Sequence, residues 1–189
     1  MRYFILLCSL LINLPVLANW QLDNAASKFS FITIKKQDVA EVHQFDRLQA
    51  TIDQQGNIHL EIDLSSVNTH IPIRDQRMQQ FLFETATFPK ASFNAKIEIA
   101  TINHLAVGQS KTLKLNGEIS LHGQQQAVSV ETMLIRLNKN TLIVTSFSPL
   151  ILNAKNFALV NGIQKLQEIA KLPSISNAVP ISFVLTFNQ

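Results

Sequence analysis

What most limits the fold of this chain is an alternation of apolar and polar residues that recurs along its length. Near the C-terminus Val179, Ile181, Phe183, Leu185 and Phe187 take one parity, and Pro180, Ser182, Val184 and Thr186 take the other. Ile58, Leu60, Ile62 and Leu64 alternate in the same way with His59, Glu61 and Asp63. So do Leu113, Leu115, Ile119 and Leu121 with Lys114, Asn116, Glu118 and Ser120, while Phe93, Ala95, Ile97 and Ile99 share a parity. Period-2 patterning belongs to strands with one buried face, because successive side chains leave a strand on opposite sides. Phe29 to Ile34, Ala127 to Leu137 and Thr141 to Leu152 read as further strands. From Val42 to Ile52 the alternation breaks at Asp46-Arg47, the mark of a bulge that lets a sheet curl.

The connections are short and turn-like: Asn24-Ala25-Ala26-Ser27, Lys35-Lys36-Gln37-Asp38, Gln54-Gln55-Gly56-Asn57, Gly123-Gln124-Gln125-Gln126 and Asn138-Lys139-Asn140. Two segments change to helical spacing. Arg74 to Glu84 sets Met78, Phe81 and Leu82 on one face before Phe88-Pro89 blocks continuation. Asn153 to Leu172 sets Ile163, Leu166, Ile169 and Ala170 on one side and stops at Pro173. About eight antiparallel strands with two short helical insertions make an all-β domain, either a sandwich or a closed barrel. Closure is favoured because it leaves no apolar edge exposed.

Residues 1–18, MRYFILLCSLLINLPVLA, carry one positive charge at Arg2, an apolar run from Tyr3 to Ile12, a helix-breaking Pro15, and small residues Val16 and Ala18. This predicts a secretory signal peptide cleaved after Ala18, since the apolar run is too short to cross a bilayer. The remainder, 19–189, is the length of one domain with its own core. Cys8 is the only cysteine, so the mature chain is held by packing alone and has no thiolate metal site. Loss of Arg2 takes the 16 basic residues to 15 against 13 acidic ones, and the lysines are scattered. That balance argues against nucleic acid as a partner, which demands many cations on one face.

Chemistry-bearing motifs are scarce. The five histidines, His43, His59, His70, His104 and His122, have no second ligand at a familiar spacing, and His59 lies on the polar parity of its strand. Solvent-facing histidines are the simplest reading, although separate strands can assemble a site in space. There is no Gly-x-Ser-x-Gly elbow, no Gly-rich phosphate loop and no His-Glu-x-x-His. No metal, cofactor or catalytic residue is expected, and a non-enzymatic role follows.

The central segment carries a family resemblance. Ser65-Ser66-Val67-Asn68-Thr69, Arg74-Asp75, Phe81-Leu82-Phe83-Glu84 and Phe88-Pro89-Lys90-Ala91-Ser92-Phe93, in that order, resemble the YceI family of bacterial envelope proteins. Leu115 to Gly123 is similar to the family's Gly-containing hairpin, and Asn19-Trp20-Gln21-Leu22-Asp23 with Ser27 to its opening. The resemblance covers everything after residue 18 and implies an eight-stranded, lipocalin-like β-barrel that binds a long isoprenoid lipid, without cofactor or catalytic residues. One departure is Ala158-Leu159 after Phe157, where the family often has a glycine.

Twelve phenylalanines stand against one tyrosine and one tryptophan. Phenylalanine has no polar handle, so it suits a wall touched only by hydrocarbon, and equally a filled core. Phe29, Phe31, Phe93, Phe147, Phe183 and Phe187 fall in predicted strands, and Phe81, Phe83 and Phe157 in the helical insertions that would lid a barrel. Of these last, Phe81 and Phe157 join the strand residues as candidates for tail contact. Arg74 near a barrel mouth, and Arg77 less strongly, are candidates for the polar head, through charge-assisted hydrogen bonds to a pyrophosphate. The alternative is that Arg74 pairs with a carboxylate and Asp75 serves the helix start. The expected function is a periplasmic or secreted protein that sequesters or carries a polyprenyl pyrophosphate or quinone-like lipid. Two other readings are an envelope stress or interaction module with a packed core, and an accessory that presents a quinone-like lipid to a membrane redox partner. A homodimer is also admitted. The accessory would be marked by His or Tyr facing the cavity, and the one tyrosine, Tyr3, lies in the signal.

Overall fold

The computed structural model describes residues 19–189, so the signal peptide expected at residues 1–18 lies outside the described residues. The strands are β1 (Trp20–Leu22), β2 (Lys28–Lys35), β3 (Val39–Phe45), β4 (Leu48–Ile52), β5 (Asn57–Asp63), β6 (Val67–Asn68), β7 (Lys90–Lys96), β8 (Ser110–Leu121), β9 (Gln124–Arg136), β10 (Thr141–Ser146), β11 (Leu150–Asn153) and β12 (Ala178–Asn188). The helices are α1 (Pro72–Arg77), α2 (Ile99–Asn103) and α3 (Val160–Ala170).

These segments form eight staves, because β1 runs on into β2, β3 into β4, β5 into β6 and β10 into β11 across local kinks. Neighbouring staves pair antiparallel in chain order, and β12 pairs with both β1 and β2, which closes the barrel. The kink at Asp46-Arg47 lies where the alternation failed. Arg47 donates from Nε to Asp63 Oδ2 at 2.9 Å, and its backbone N–H goes to Ser66 Oγ at 3.0 Å. Asp63 also caps the 3-10 turn Leu64–Ser66 by accepting from the Ser65 N–H at 2.8 Å. The Ser66 hydroxyl, which also donates to the Asp63 carbonyl, thus satisfies backbone groups that a bent sheet would otherwise leave unpaired, while the Ser65 hydroxyl bridges the Arg47 and Asp63 side chains.

The two barrel ends are built differently. At the end holding Trp20, Ile52 and Ile97, the fully buried Ile102 of α2 joins Leu134 and Leu142 in a plug. This corrects the expectation of two helices: the strand pattern was read as far as Ile99, but β7 stops at Lys96 and a third short helix follows. A second correction is the β8–β9 turn, which is His122-Gly123 (φ 50° and 72°) and not Gly123 to Gln126.

The other end is crossed by α1 and α3. Helix α1 begins at Pro72, earlier than expected, and runs into a π-helical turn, Met78–Leu82. Gly162 of α3 packs on that turn so closely that a Cβ would lie 2.4 Å from the Phe81 carbonyl oxygen. The two elements therefore form one lid, joined through a residue without a side chain.

Candidate functional site

Between lid and plug the barrel holds a cavity of about 510 Å³ that opens beside α1, where its lining residues Ile71 and Ile73 are exposed. This lies within the range of sites that hold small ligands. Inward-facing side chains of β2, β3, β5, β7, β8 and β12 form much of its wall, because one parity of each strand is apolar over most of its length. Small residues at Ala50 and Ala91 keep the lumen open where a larger side chain would fill it.

Of the phenylalanines expected to line a tail site, Phe29, Phe31, Phe93, Phe157, Phe183 and Phe187 all reach the cavity. Two do not. Phe147 lies on the outward parity at the break between β10 and β11 and is 58% exposed. Phe81 is displaced by the π turn, in which the Phe83 N–H donates to the Met78 carbonyl five residues back at 2.9 Å. The extra residue per turn rotates Phe83 onto the cavity wall and Phe81 off it. Phe45 and Phe83, not among the candidates, complete the aromatic wall, with Phe45 5.2 Å from Phe31 and 5.6 Å from Phe83 between ring centroids.

The charged groups of the lining, with His43, are gathered in one sector, the part of β2 and β3 nearest their hairpin, with α1 lying against it. Lys35, Thr33, Glu41 and His43 face inward here, and Phe31, Phe45 and Phe29 follow deeper along the same strands. Arg74 donates from one terminal nitrogen to Glu41 Oε2 at 2.7 Å and from the other to the Thr69 carbonyl at 2.7 Å. Its charge is thus matched by a carboxylate, the alternative reading of this residue. Asp75 accepts from the Thr69 N–H at 2.8 Å and so ties α1 to the end of the β5/β6 stave. Arg77 lines the cavity, half-buried and with no carboxylate partner among the described residues.

His43 is only 3% exposed, contrary to a solvent-facing reading. Its Nε2 lies 2.9 Å from Thr33 Oγ1, its ring packs edge-on against Phe31, and Nδ1 has no partner. Burial, reinforced by the Arg74 charge, pushes its pKa down to about 4, so the ring is neutral at physiological pH. The hydrogen bond from Lys35 is the main cause holding the Glu41 carboxyl below its usual value, with burial opposing and the Arg74 charge assisting. Among the described residues no group of three or more His, Cys, Asp and Glu side chains is placed to hold a metal ion.

The sequence pattern of the YceI-like domain matches residues 20–187. The chain belongs to the YceI family. No match was found among curated proteins. Among solved structures, a polyisoprenoid-binding domain from Saccharophagus degradans implicated in plant cell wall breakdown is 37% identical, with a TM-score of 0.88 over 89% of this chain and 97% of that one. Burkholderia cenocepacia BcnA is 21% identical with a TM-score of 0.67, covering 87% and 98% of the two chains. The Campylobacter jejuni YCEI protein is 16% identical, with a TM-score of 0.57 over 78% and 84%. These last two share the fold.

Within this YceI-family barrel, the departure noted at Ala158 has a physical consequence. Ala158 adopts φ 56° and ψ 23°, the left-handed conformation that a glycine takes without steric cost. The family's usual residue therefore fits the backbone better than the one present here.

Proposed function

We propose that this protein binds a long isoprenoid lipid in the barrel lumen and acts as a periplasmic carrier or store, without making or breaking bonds. The observation that carries this reading is the largely apolar cavity of about 510 Å³ beneath a two-helix lid. At about 24 cal/mol per Å³ of void, leaving it empty forgoes roughly 12 kcal/mol relative to a packed core, as much as a whole domain's stability. A lumen that large is expected to be occupied. At about 30 Å³ per water-sized group it has room for on the order of 15 to 20 carbon atoms, three or four isoprene units. A tail burying about 400 Å² of apolar surface supplies on the order of 10 kcal/mol before association costs, so the tail sets affinity.

The polyisoprenoid-binding domain that is 37% identical to this chain supports the choice of lipid class. A binding role in preference to an enzymatic one accords with a wall that presents mostly hydrocarbon and gathers its charged groups in one sector. Native mass spectrometry of protein purified without detergent should show a co-purifying species of several hundred daltons. A purely apo mass with no extractable lipid would overturn the proposal. The periplasmic site is tested separately, by N-terminal sequencing of the protein from an osmotic-shock fraction, which should begin at Asn19.

A further inference from the structure

The open end of the barrel carries apolar side chains that no element of the fold covers. Three segments form its rim: the β2–β3 hairpin, α1, and the end of α3 with the chain that follows it. The Lys36 N–H donates to the Ser174 carbonyl at 3.1 Å and the Ser176 N–H to the Ile34 carbonyl at 2.8 Å, which fastens the hairpin to the third segment. The Arg74–Glu41 pair fastens it to α1. On this rim Ile71 is 45%, Ile73 52% and Val39 40% exposed, and no residue of α1 is buried. Ile71 and Ile73 also line the cavity, so its apolar lining continues out to the surface beside α1.

Charge is distributed as unevenly as apolar surface. The rim segments, 35–41, 71–77 and 165–176, hold six cations, Lys35, Lys36, Arg74, Arg77, Lys165 and Lys171, and four acids, Asp38, Glu41, Asp75 and Glu168. The rest of 19–189 holds nine of each, so the whole positive excess of the domain stands at this end. Three of the acids are engaged: Glu41 by Lys35 and Arg74, Asp75 by the Thr69 N–H, and Glu168 by Lys165. Lys36 and Lys171 are exposed and have no carboxylate partner among the described residues. Both adopt φ 52°, the left-handed conformation, and Lys171 does so at the residue that ends α3, where glycine is the unstrained choice. Two unpaired lysines thus occupy backbone positions that favour glycine, on the rim that exposes the isoleucines.

An apolar centre flanked by unpaired cations matches the surface of an anionic bilayer, whose phosphates lie just outside its acyl chains. A second copy of this chain fits less well. A two-fold contact would bring Lys36 and Lys171 of one copy against the same cationic rim of the other, and three exposed side chains fall far short of the roughly 20–30 residues a side of a stable interface. We infer that the open end of the barrel docks on an anionic phospholipid membrane, with Val39, Ile71 and Ile73 entering the boundary between headgroups and acyl chains and Lys36 and Lys171 meeting the phosphates. On the lipid-binding reading, a tail would then pass between bilayer and lumen without crossing water; the docking itself does not depend on that reading.

The chain beginning at Asn19, which holds the whole barrel and lacks the apolar run from Tyr3 to Ile12, is mixed with sedimentable vesicles of phosphatidylcholine, alone or with about 30 mol% phosphatidylglycerol. It should bind the anionic vesicles about tenfold more strongly than the neutral ones, and less as salt rises. Ile71→Ser with Ile73→Ser, and separately Lys36→Gln with Lys171→Gln, should each weaken binding to anionic vesicles about tenfold. Lys111→Gln with Lys139→Gln makes the same change in net charge at the plugged end and should leave binding unchanged. Every substituted side chain is exposed, and thermal unfolding checks that each variant is folded. The inference is overturned if the wild type binds neither vesicle, if the plugged-end pair weakens binding as much as the rim lysines, or if the isoleucine variant binds like the wild type. A rim that instead joins two copies would give a dimer in sedimentation velocity that the isoleucine variant dissociates, without vesicle binding, and would overturn it too. The vesicles contain no isoprenoid, so an empty lumen in native mass spectrometry would overturn the lipid-binding reading and leave the docking result standing.

Discussion

Lowering the pH from 7.5 to 5.0 should cost the lipid-free protein about 2 kcal/mol of stability through His43 alone. The folded ring titrates at about 4 and the unfolded one at 6.5, the ordinary value for the side chain. Between those values the unfolded chain takes up a proton that the folded chain refuses. Stability therefore rises with pH across this window and is lost as pH falls through it. The full difference of 2.5 pKa units corresponds to about 3 kcal/mol, of which about 2 kcal/mol has appeared by pH 5.0. The depressed carboxylates act lower. Glu41 is held below 4.5, and Asp53 and Asp63 below 3.8, so their contributions are retained above those values and lost only as pH falls further. Urea unfolding at the two pH values provides the assay, with a midpoint shift of roughly 1 M at a slope of about 2 kcal/mol/M. His43→Gln supplies the control, because it removes this imidazole and leaves the other four histidines in place. If wild type and His43→Gln lose the same stability between pH 7.5 and 5.0, the ring is not held neutral by burial and the account of that wall fails.

Four substitutions test the remaining packing. Gly162→Ala would place a Cβ 2.4 Å from the Phe81 carbonyl oxygen and 2.8 Å from Leu82 Cα. It should destabilise by about 1–3 kcal/mol in thermal unfolding, even though alanine is worth about 1 kcal/mol over glycine in an open helix. Ala158→Gly, at φ 56°, should raise the melting temperature by about 2 °C, since relief of left-handed strain outweighs glycine's extra chain entropy. Ala50→Leu adds apolar volume at the cavity wall. It should stabilise the lipid-free protein by about 1–2 kcal/mol and lower the lipid content seen by native mass spectrometry. Phe147→Ser, at a 58% exposed position off the cavity, should change stability by less than about 0.5 kcal/mol and leave lipid content unaltered.

Much of the wall was legible because parity is a local property. Phe183 and Phe187 face the lumen with Ile181 and Leu185 exactly as alternate residues of one strand must. Phe147 misled because placing it in a strand says nothing about which face it occupies, and the break after Ser146 separates it from the register of β11. Phe81 and Phe83 exchanged roles through a π turn, whose wider step no α-helical spacing anticipates. His43 was hidden for another reason: it shares the inward parity of Glu41 and Phe45, a mixed set that does not read as a buried face. The signal that would have found it is that same parity, counted from Phe45.

The order of amino acids by itself determined that this chain makes antiparallel strands with one oily face, interrupted by short amphipathic segments. Side-chain direction and turn chemistry act over a few residues, and a few residues suffice to show them. Only the tertiary structure decided that the staves close with β12 against β1 and β2, that the lumen remains open, and that Arg74 meets Glu41 across 33 positions of chain. Those outcomes depend on the distances between side chains far apart in the chain. Whether an apolar interior is filled or hollow is set by how many volumes converge on it from every stave at once.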